Sequence, residues 1–409
     1  GSTLINSAIC FRTPNKVLDI WVEKYGCHRL TRERMGPRLD RVWTTLGVSV
    51  NPISVQRTNN LIFKQGADAL GLPGEWMARS APGCIGCGTC QMGCPTGGKL
   101  SVDRAFFPVA LDTGNVRIHA NCRVGAVETQ QGRLRAVRGR FIDPDSLKPT
   151  GTFTARAEVF ISCAGPIGTP RFLLGTGLAD DTVVGQTLYI HPGSGQMARF
   201  EQEVRPWEGV TQGYCVDRWD EGYLLQVYSV TPDQMFVGMP YSLGDARLQI
   251  IKDMRHIAMA GPLVHDEDSM GKVTPQNLVY FLGDQDRKRL LAGIRETCRV
   301  FFAAGAVEVY TGIVGSKPIQ RAADIDVAVP DSIPARDLYL YASHPMSTCR
   351  MGEDPATAAV DPNGKVFGWD NVYVADASVF PTSLGVNPQV TTMAIGLTVG
   401  DAIAQAHSS

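Results

Sequence analysis

The 409-residue chain predicts an α/β fold, α+β overall: a discontinuous parallel-sheet domain interrupted by an inserted antiparallel-sheet domain. Three observations predict it. Val159–Cys163 and Val372–Ala375 are short apolar runs that end on a turn, the first at Ala164-Gly165 and the second at Asp376. Buried parallel strands that deliver a ligand crevice at their carboxyl ends have this form. Between about 190 and 330 the pattern changes to short β-prone segments separated by polar turns, such as Leu224–Val230 and Ile257–Val264.

Each element has a local signal. A helix opened by Thr169-Pro170 follows the first parallel strand. After Asp284, Leu290, Leu291, Ile294, Cys298, Phe301 and Phe302 recur at three- and four-residue intervals, and Gly305 ends that helix. Asn387-Pro388 starts the last one, with Asn as N-cap and Pro at the first position. Its buried face is expected to carry Val390, Met393, Ala394, Leu397 and Ile403. The expected boundaries are 1–190 for the first part of the parallel-sheet domain, 191–330 for the insert and 331–409 for the return.

Composition excludes several classes. Hydrophobic residues make up 44% and charged residues 19%, as in an ordinary globular protein. A formal net charge of −1 and the lack of any Lys/Arg-rich block argue against nucleic acid or an anionic membrane as partner. The apolar runs are too short to cross a bilayer, so no transmembrane segment is expected. GSTLINSAICFRTP lacks the shape of a secretory signal, and most of the 11 cysteines are scattered singly, which suggests a reducing, cytoplasmic compartment.

The chemistry concentrates near the carboxyl end. YASHPMSTCRMG holds His344, and GVNPQVTTMAIGLTVG holds Asn387 at a helix N-terminus. Removing hydride from an alcohol carbon requires that the hydroxyl proton also leave. A histidine near neutrality suits the base, and an amide orients the hydroxyl without competing for the proton. A helix N-terminus favours a developing anion. Taken singly, a lone His is more often structural, and Asn-Pro is a common helix start.

HPMSTCRMG, VDPNGKVFG, NVYVADASVFPTS and GVNPQVTTMAI together resemble, in order and spacing, the carboxyl-terminal signature of the glucose–methanol–choline (GMC) oxidoreductases. The resemblance implies an FAD/NAD(P)-binding Rossmann-like domain with an inserted substrate-binding sheet domain. It implies FAD as cofactor, His344 as the catalytic base and Asn387 as its partner. Asp376 and Ala377 match the turn near the flavin's pyrophosphate and ribityl region, and Pro388 the residue beside the isoalloxazine ring. Upstream, Ser2 and Asn6 resemble the stretch lining that ring, Val124 in CRVGAVE the strand edge that holds adenine, and Ala164 and Gly165 the adenosine turn. VGQTLYIHP is similar to the loop entering the substrate domain.

One part of the family pattern has no counterpart. A strand–GxGxxG–helix cradle for the pyrophosphate should precede Ser2, and no later glycine cluster has the required surroundings. The expectation is a fragment, or a chain whose cradle is supplied by another polypeptide, with weak or no autonomous FAD binding.

CIGCGTCQMGCP, in the Cys-rich loop 84–95, places Cys84, Cys87, Cys90 and Cys94 at the C-x2-C-x2-C-x3-C-P spacing of bacterial ferredoxins. An iron–sulfur centre is one reading. Structural zinc, a disulfide-containing loop and an unliganded loop are the others. Lys99, just downstream, reads as a solvated surface residue.

The leading function is therefore FAD-dependent oxidation of a CH–OH donor, a small-molecule alcohol or sterol-like compound. The electron acceptor would be oxygen, a quinone or a redox protein. The alternatives are a non-redox lyase on the same fold and an inactive piece or subunit awaiting an FAD-cradling chain. Trp207, Tyr214, Trp219, Tyr223, Tyr228, Met235, Phe236, Met239 and Tyr241 in the insert offer an apolar pocket, although such residues in a sheet domain are more often core.

Overall fold

The computed structural model describes residues 1–235 and 248–407 in full, and 236–237 and 245–247 by backbone alone. The two apolar runs form strands Phe160–Ser162 and Val372–Val374 and pair in parallel, Val372 opposite Phe160 and Val374 opposite Ser162. Parallel pairing puts both carboxyl ends at one edge, so Ala164-Gly165 and Asp376-Ala377 meet there. Asp376 fastens that edge. Its carboxylate accepts the Gly165 N–H at 2.9 Å, the Thr169 hydroxyl at 2.6 Å and the Ser378 N–H at 2.8 Å.

The helix after the first strand spans Gly165–Thr176, four residues earlier than the Thr169-Pro170 start the sequence predicts. Pro170 has no N–H for the Pro166 carbonyl, and the Thr348 hydroxyl donates to that carbonyl instead at 2.7 Å. Thr169 serves the preceding turn, accepting the Ala164 N–H at 3.1 Å.

The insert is built on a six-stranded antiparallel sheet in the order Glu308–Tyr310, Gln196–Arg199, Ile257–Val264, Tyr223–Val227, Tyr214–Arg218, Gly74–Trp76. The expected strand Ile257–Val264 is present with those ends, and Leu224–Val230 appears as Tyr223–Val227. The edge strand Gly74–Trp76 comes from the amino-terminal part of the chain. Helices Ile53–Ala69 and Asp284–Ala303 cross over this sheet. Gly66 allows their approach, since a Cβ there would stand 2.0 Å from the Val300 carbonyl oxygen. Ile62, Phe63, Leu290, Ile294 and Phe301 meet Ala198, Val216, Leu225 and Ala260 in one buried cluster. Tyr214, Tyr223 and Met235 are buried, while Trp207, Trp219 and Tyr228 are partly exposed. The Phe236 side chain, Met239 and Tyr241 lie outside the described residues.

A three-stranded antiparallel sheet, Cys122–Gln130, Arg133–Ile142 and Pro149–Arg156, has the helix Gly165–Thr176 against its first strand. Val124 lies on that strand opposite Gly139 and is 38% exposed.

The carboxyl-terminal helix spans Gln389–Ala406. Val390, Ala394, Ile395 and Val399 are buried in the first domain's core beside Val17, Leu18, Trp21 and Leu39. Met393, Leu397 and Ile403 are only partly buried, so the face is rotated from the expected one. Thr391, Ala394, Thr398 and Ala402 are buried, and this helix packs on the helix Arg32–Thr45. The small side chains permit closer contact than Met393 and Leu397 would. Among the described residues no helix is long and apolar enough to cross a membrane.

Candidate active site

His344 is positioned by backbone pairing on two sides. The Tyr189 N–H donates to the Met346 carbonyl at 3.2 Å, and the Met346 N–H returns the bond at 2.9 Å. In that antiparallel register the next residue pair on the same face is His191 and His344. On the other side the N–H groups of Ser347, Cys349 and Met351 donate to the carbonyls of Ala377, Ser378 and Val379 at 3.0, 2.8 and 3.0 Å. The catalytic candidate is thus wedged between the loop entering the insert and the turn after the second parallel strand.

His344 and Asn387 meet as the sequence predicts. Asn387 Nδ2 lies 3.2 Å from His344 Nε2, and Asn387 Oδ1 accepts from Gln226 Nε2 at 2.7 Å. Asn387 is buried, and its amide is committed to these partners. The expectation that it caps the last helix is therefore corrected: no side chain caps that helix, although the helix does begin at this point. His191, fully buried, sits behind His344 with Nδ1 atoms 3.3 Å apart and rings inclined at 72°. Its Nε2 accepts the Gly385 N–H at 2.8 Å.

The surroundings keep these rings neutral. Burial pushes the His344 pKa down from 6.5 to about 4. Burial also holds His191 well below 6.5, helped by the neighbouring His344 and His265, and burial lowers His265. Asp266 anchors the His191 loop. It accepts the Ile190 and His191 N–H groups at 3.0 and 2.8 Å and the hydroxyls of Tyr280 and Ser383 at 2.7 and 3.0 Å. His191 itself adopts φ +52°, a left-handed conformation uncommon outside glycine, though His, Asn and Asp take it more readily than other side chains.

Asn6 reaches the same place: its Nδ2 donates to the Gln389 side chain at the first residue of the last helix. Asn6, Asn387, Pro388 and His344 therefore gather at one helix end. Ala164, Gly165, Asp376 and Ala377 gather at the strand ends. Ser2 is exposed at the start of the single-turn helix Ser2–Ile5, and Val124 is exposed on the three-stranded sheet. Sequence reasoning singled out none of His191, Gln226, Asp266 and Gly385. His191 and Gly385 lie inside VGQTLYIHP and GVNPQVTTMAI, whereas Gln226 and Asp266 are brought in by registers far away in the chain, with no motif around them.

Lys99 is the clearest reversal. It is 2% exposed, and its ammonium donates to the carbonyls of Leu4, Asn6 and Cys90 at 2.6, 2.8 and 2.8 Å. Arg79 is fully buried beside it, donating to the Ser7 carbonyl, to Asn51 Oδ1 and to the sulfurs of Cys90 at 3.1 Å and Cys84 at 3.7 Å. Neither cation has a carboxylate at ion-pair distance among the described residues. They tie the Cys-rich loop to residues 4–7, the segment that carries Asn6.

Cys84, Cys87, Cys90 and Cys94 line one cavity of about 10 Å³, space for roughly one water. Among the described residues no three metal-ligand side chains surround a common ion position. All eleven cysteines are unpaired, which corrects the disulfide reading. The zinc and iron–sulfur readings of this loop have no support either: the cavity is too small for a cluster, and Arg79 bonds two of the sulfurs.

Comparison with known proteins decides the family. The amino-terminal GMC oxidoreductase model matches residues 1–193 and the carboxyl-terminal one residues 249–396. The chain belongs to the GMC oxidoreductase family. This GMC chain is 32% identical over 407 residues to an uncharacterised GMC-type oxidoreductase of Mycobacterium tuberculosis, covering 98% of its own length and 63% of the relative. It is 27% identical over 428 residues to the long-chain-alcohol oxidase FAO4A of Arabidopsis thaliana, covering 98% and 58%. The chain thus spans about three fifths of the length of these relatives. Among solved structures it superimposes on pyridoxine 4-oxidase from Mesorbium loti with a TM-score of 0.72 at 17% identity, covering 99% of this chain and 82% of that one. Formate oxidase gives a TM-score of 0.70 at 15% identity, covering 100% and 84%. These likenesses show the fold, an α/β architecture with an inserted sheet domain.

Proposed function

We propose that this chain carries the catalytic residues of an FAD-dependent oxidoreductase acting on a CH–OH group. The observation that carries the proposal is the His344–Asn387 pair, 3.2 Å apart at the amino end of an 18-residue helix. Two features fit the flavin. The helix end at Pro388-Gln389 provides a partial positive charge beside the pair. At the strand ends, Gly165 adopts φ +80° and a Cβ there would meet nothing within 4 Å, so the turn faces open space. Ala164, Gly165, Asp376 and Ala377 would hold the dinucleotide side, and Asn6 and Pro388 the ring side.

Bound FAD supplies the two-electron acceptor for a hydride leaving the alcohol carbon. The chain's own residues manage the proton and the oxygen. Asn387 orients the hydroxyl, its amide held in turn by Gln226. His344 takes the hydroxyl proton at Nε2. With a pKa near 4 it is uncharged across the physiological range, the charge state a base requires. The long-chain-alcohol oxidases among the relatives, and the choline oxidase of Arthrobacter globiformis at 25% identity, support an alcohol donor, with an apolar one favoured.

The test is anaerobic stopped-flow reduction of FAD-loaded protein by a panel of alcohols. Alcohol bleaching of the flavin separates oxidation from lyase chemistry. His344→Ala should slow reduction by roughly 10²–10⁴-fold, the usual worth of a general base. A near-normal rate would remove His344 from that role.

A further inference from the structure

The hydrogen bonds behind His344 run in one direction. A backbone N–H can only donate, and the Gly385 N–H lies 2.8 Å from His191 Nε2, so that nitrogen carries a lone pair. His191 is buried and neutral, and its single ring proton therefore sits on Nδ1. That proton points at His344 Nδ1, 3.3 Å away, which must accept. A neutral His344 then has its own proton on Nε2. To complete the chain, His344 Nε2–H donates to the Asn387 amide oxygen and the Asn387 amide nitrogen to the Gln226 oxygen. Both amides then take the orientation related by a flip to the one that joins Gln226 Nε2 to Asn387 Oδ1. The two orientations fill the same volume, and only the network decides between them.

We propose that His191 sets the position of the proton on His344, holding it as the Nε2–H tautomer in the free site. The base-competent tautomer, with the proton on Nδ1 and a lone pair on Nε2, requires His191 to present an acceptor at its own Nδ1. Its proton must then move to Nε2, where it faces the Gly385 N–H, and that buried bond is lost. His191 is thus a positioning residue, and it resists the base-competent form of His344 until a substrate hydroxyl at Nε2 favours it. Among the described residues nothing nearby relieves the conflict. Asp266 holds the backbone N–H of His191 rather than its ring, and His265, the other titratable neighbour, is kept neutral by burial. The functional consequence rests on the reading of His344 as the base, whereas the proton assignment does not.

The experiment is two-bond 1H–15N correlation spectroscopy of the protein labelled at its seven histidines, whose ring 15N shifts distinguish the tautomers. His344 signals are identified by their loss in His344→Gln. Wild type should show His191 protonated on Nδ1 and His344 on Nε2. In His191→Asn the side-chain oxygen replaces Nδ1 as an acceptor and nothing reaches Gly385. Asn also suits the φ of +52° at this position. The His344 tautomer ratio should then move about tenfold toward Nδ1–H, one buried hydrogen bond's worth. A wild-type His344 already protonated on Nδ1, or an unchanged ratio in His191→Asn, overturns the proposal. Should the variant not fold, the wild-type spectrum alone decides. A normal flavin-reduction rate in His344→Ala would remove the base role while leaving this proton pattern standing, so the two failures are separable.

Discussion

Replacing Lys99 by Met tests the buried clamp beneath the Cys-rich loop. The substitution keeps the aliphatic stem and removes the ammonium, so its effect comes from the three carbonyls left behind. The bond to Cys90 O is fully buried, whereas the bonds to Leu4 O and Asn6 O are partly buried and water can replace part of them. An orphaned buried acceptor costs about 1–3 kcal/mol, and a bond to a charged group contributes about 1.5–3 kcal/mol. Against this stands the desolvation of the ammonium, which the variant no longer bears. The net expectation is a loss of about 2–4 kcal/mol. Urea unfolding by fluorescence and by circular dichroism would measure it, with Lys64→Met, at an exposed helix ion pair, as the control. Because the clamp holds Leu4 and Asn6, limited proteolysis should also cut the first residues of the variant sooner. A change below about 0.5 kcal/mol, the usual range for surface substitutions, would refute the argument and return Lys99 to the surface class.

Two further outcomes follow from the same geometry. Asp376→Asn leaves one acceptor oxygen for three donors and turns an N–H₂ toward at least one of them, so stability should fall by about 1–3 kcal/mol, read as a lower denaturant midpoint. Acid titration of stability should show the buried histidines. His344, His191 and His265 all have folded pKa values below their unfolded value of 6.5, so the unfolded chain binds more protons as the pH falls. Their contribution is complete above about 6.5 and is lost on acidification, through about pH 4 for His344, at about 1.4 kcal/mol per pH unit for each histidine in its window. Asp266, whose carboxyl is raised by burial, works in the opposite sense as it gains its proton. Stability flat from pH 7 to pH 4.5 would contradict the neutral, buried state of these rings.

Much of the site was legible in the sequence because its signals are local. The two apolar runs become paired parallel strands, from which their shared edge follows, but only Val372–Val374 is buried as expected: Phe160 and Ser162 are half-buried and Ile161 is exposed. The 284–303 helix is written in its apolar spacing, and the His344 and Asn387 segments carry a multi-part family pattern. Local signals failed where a residue's partners come from elsewhere. Asn387 looks like a helix cap, but Gln226 and His344 claim its amide. Thr169-Pro170 looks like a helix start, but Thr348 serves the carbonyl that Pro170 leaves unpaired, and the helix begins at Gly165.

By itself, then, the sequence determined the family, the strand–turn–strand plan and the two residues proposed to carry the chemistry, because short-range periodicity and motif order encode these. Only the tertiary structure decided what lies around them. It buried Lys99 and Arg79 under the cysteine loop, left the four sulfurs without a shared ion position, and set His191 behind His344 through the Tyr189–Met346 register. Charge burial and tautomer state are properties of surroundings assembled from distant parts of the chain, and no window of sequence contains them.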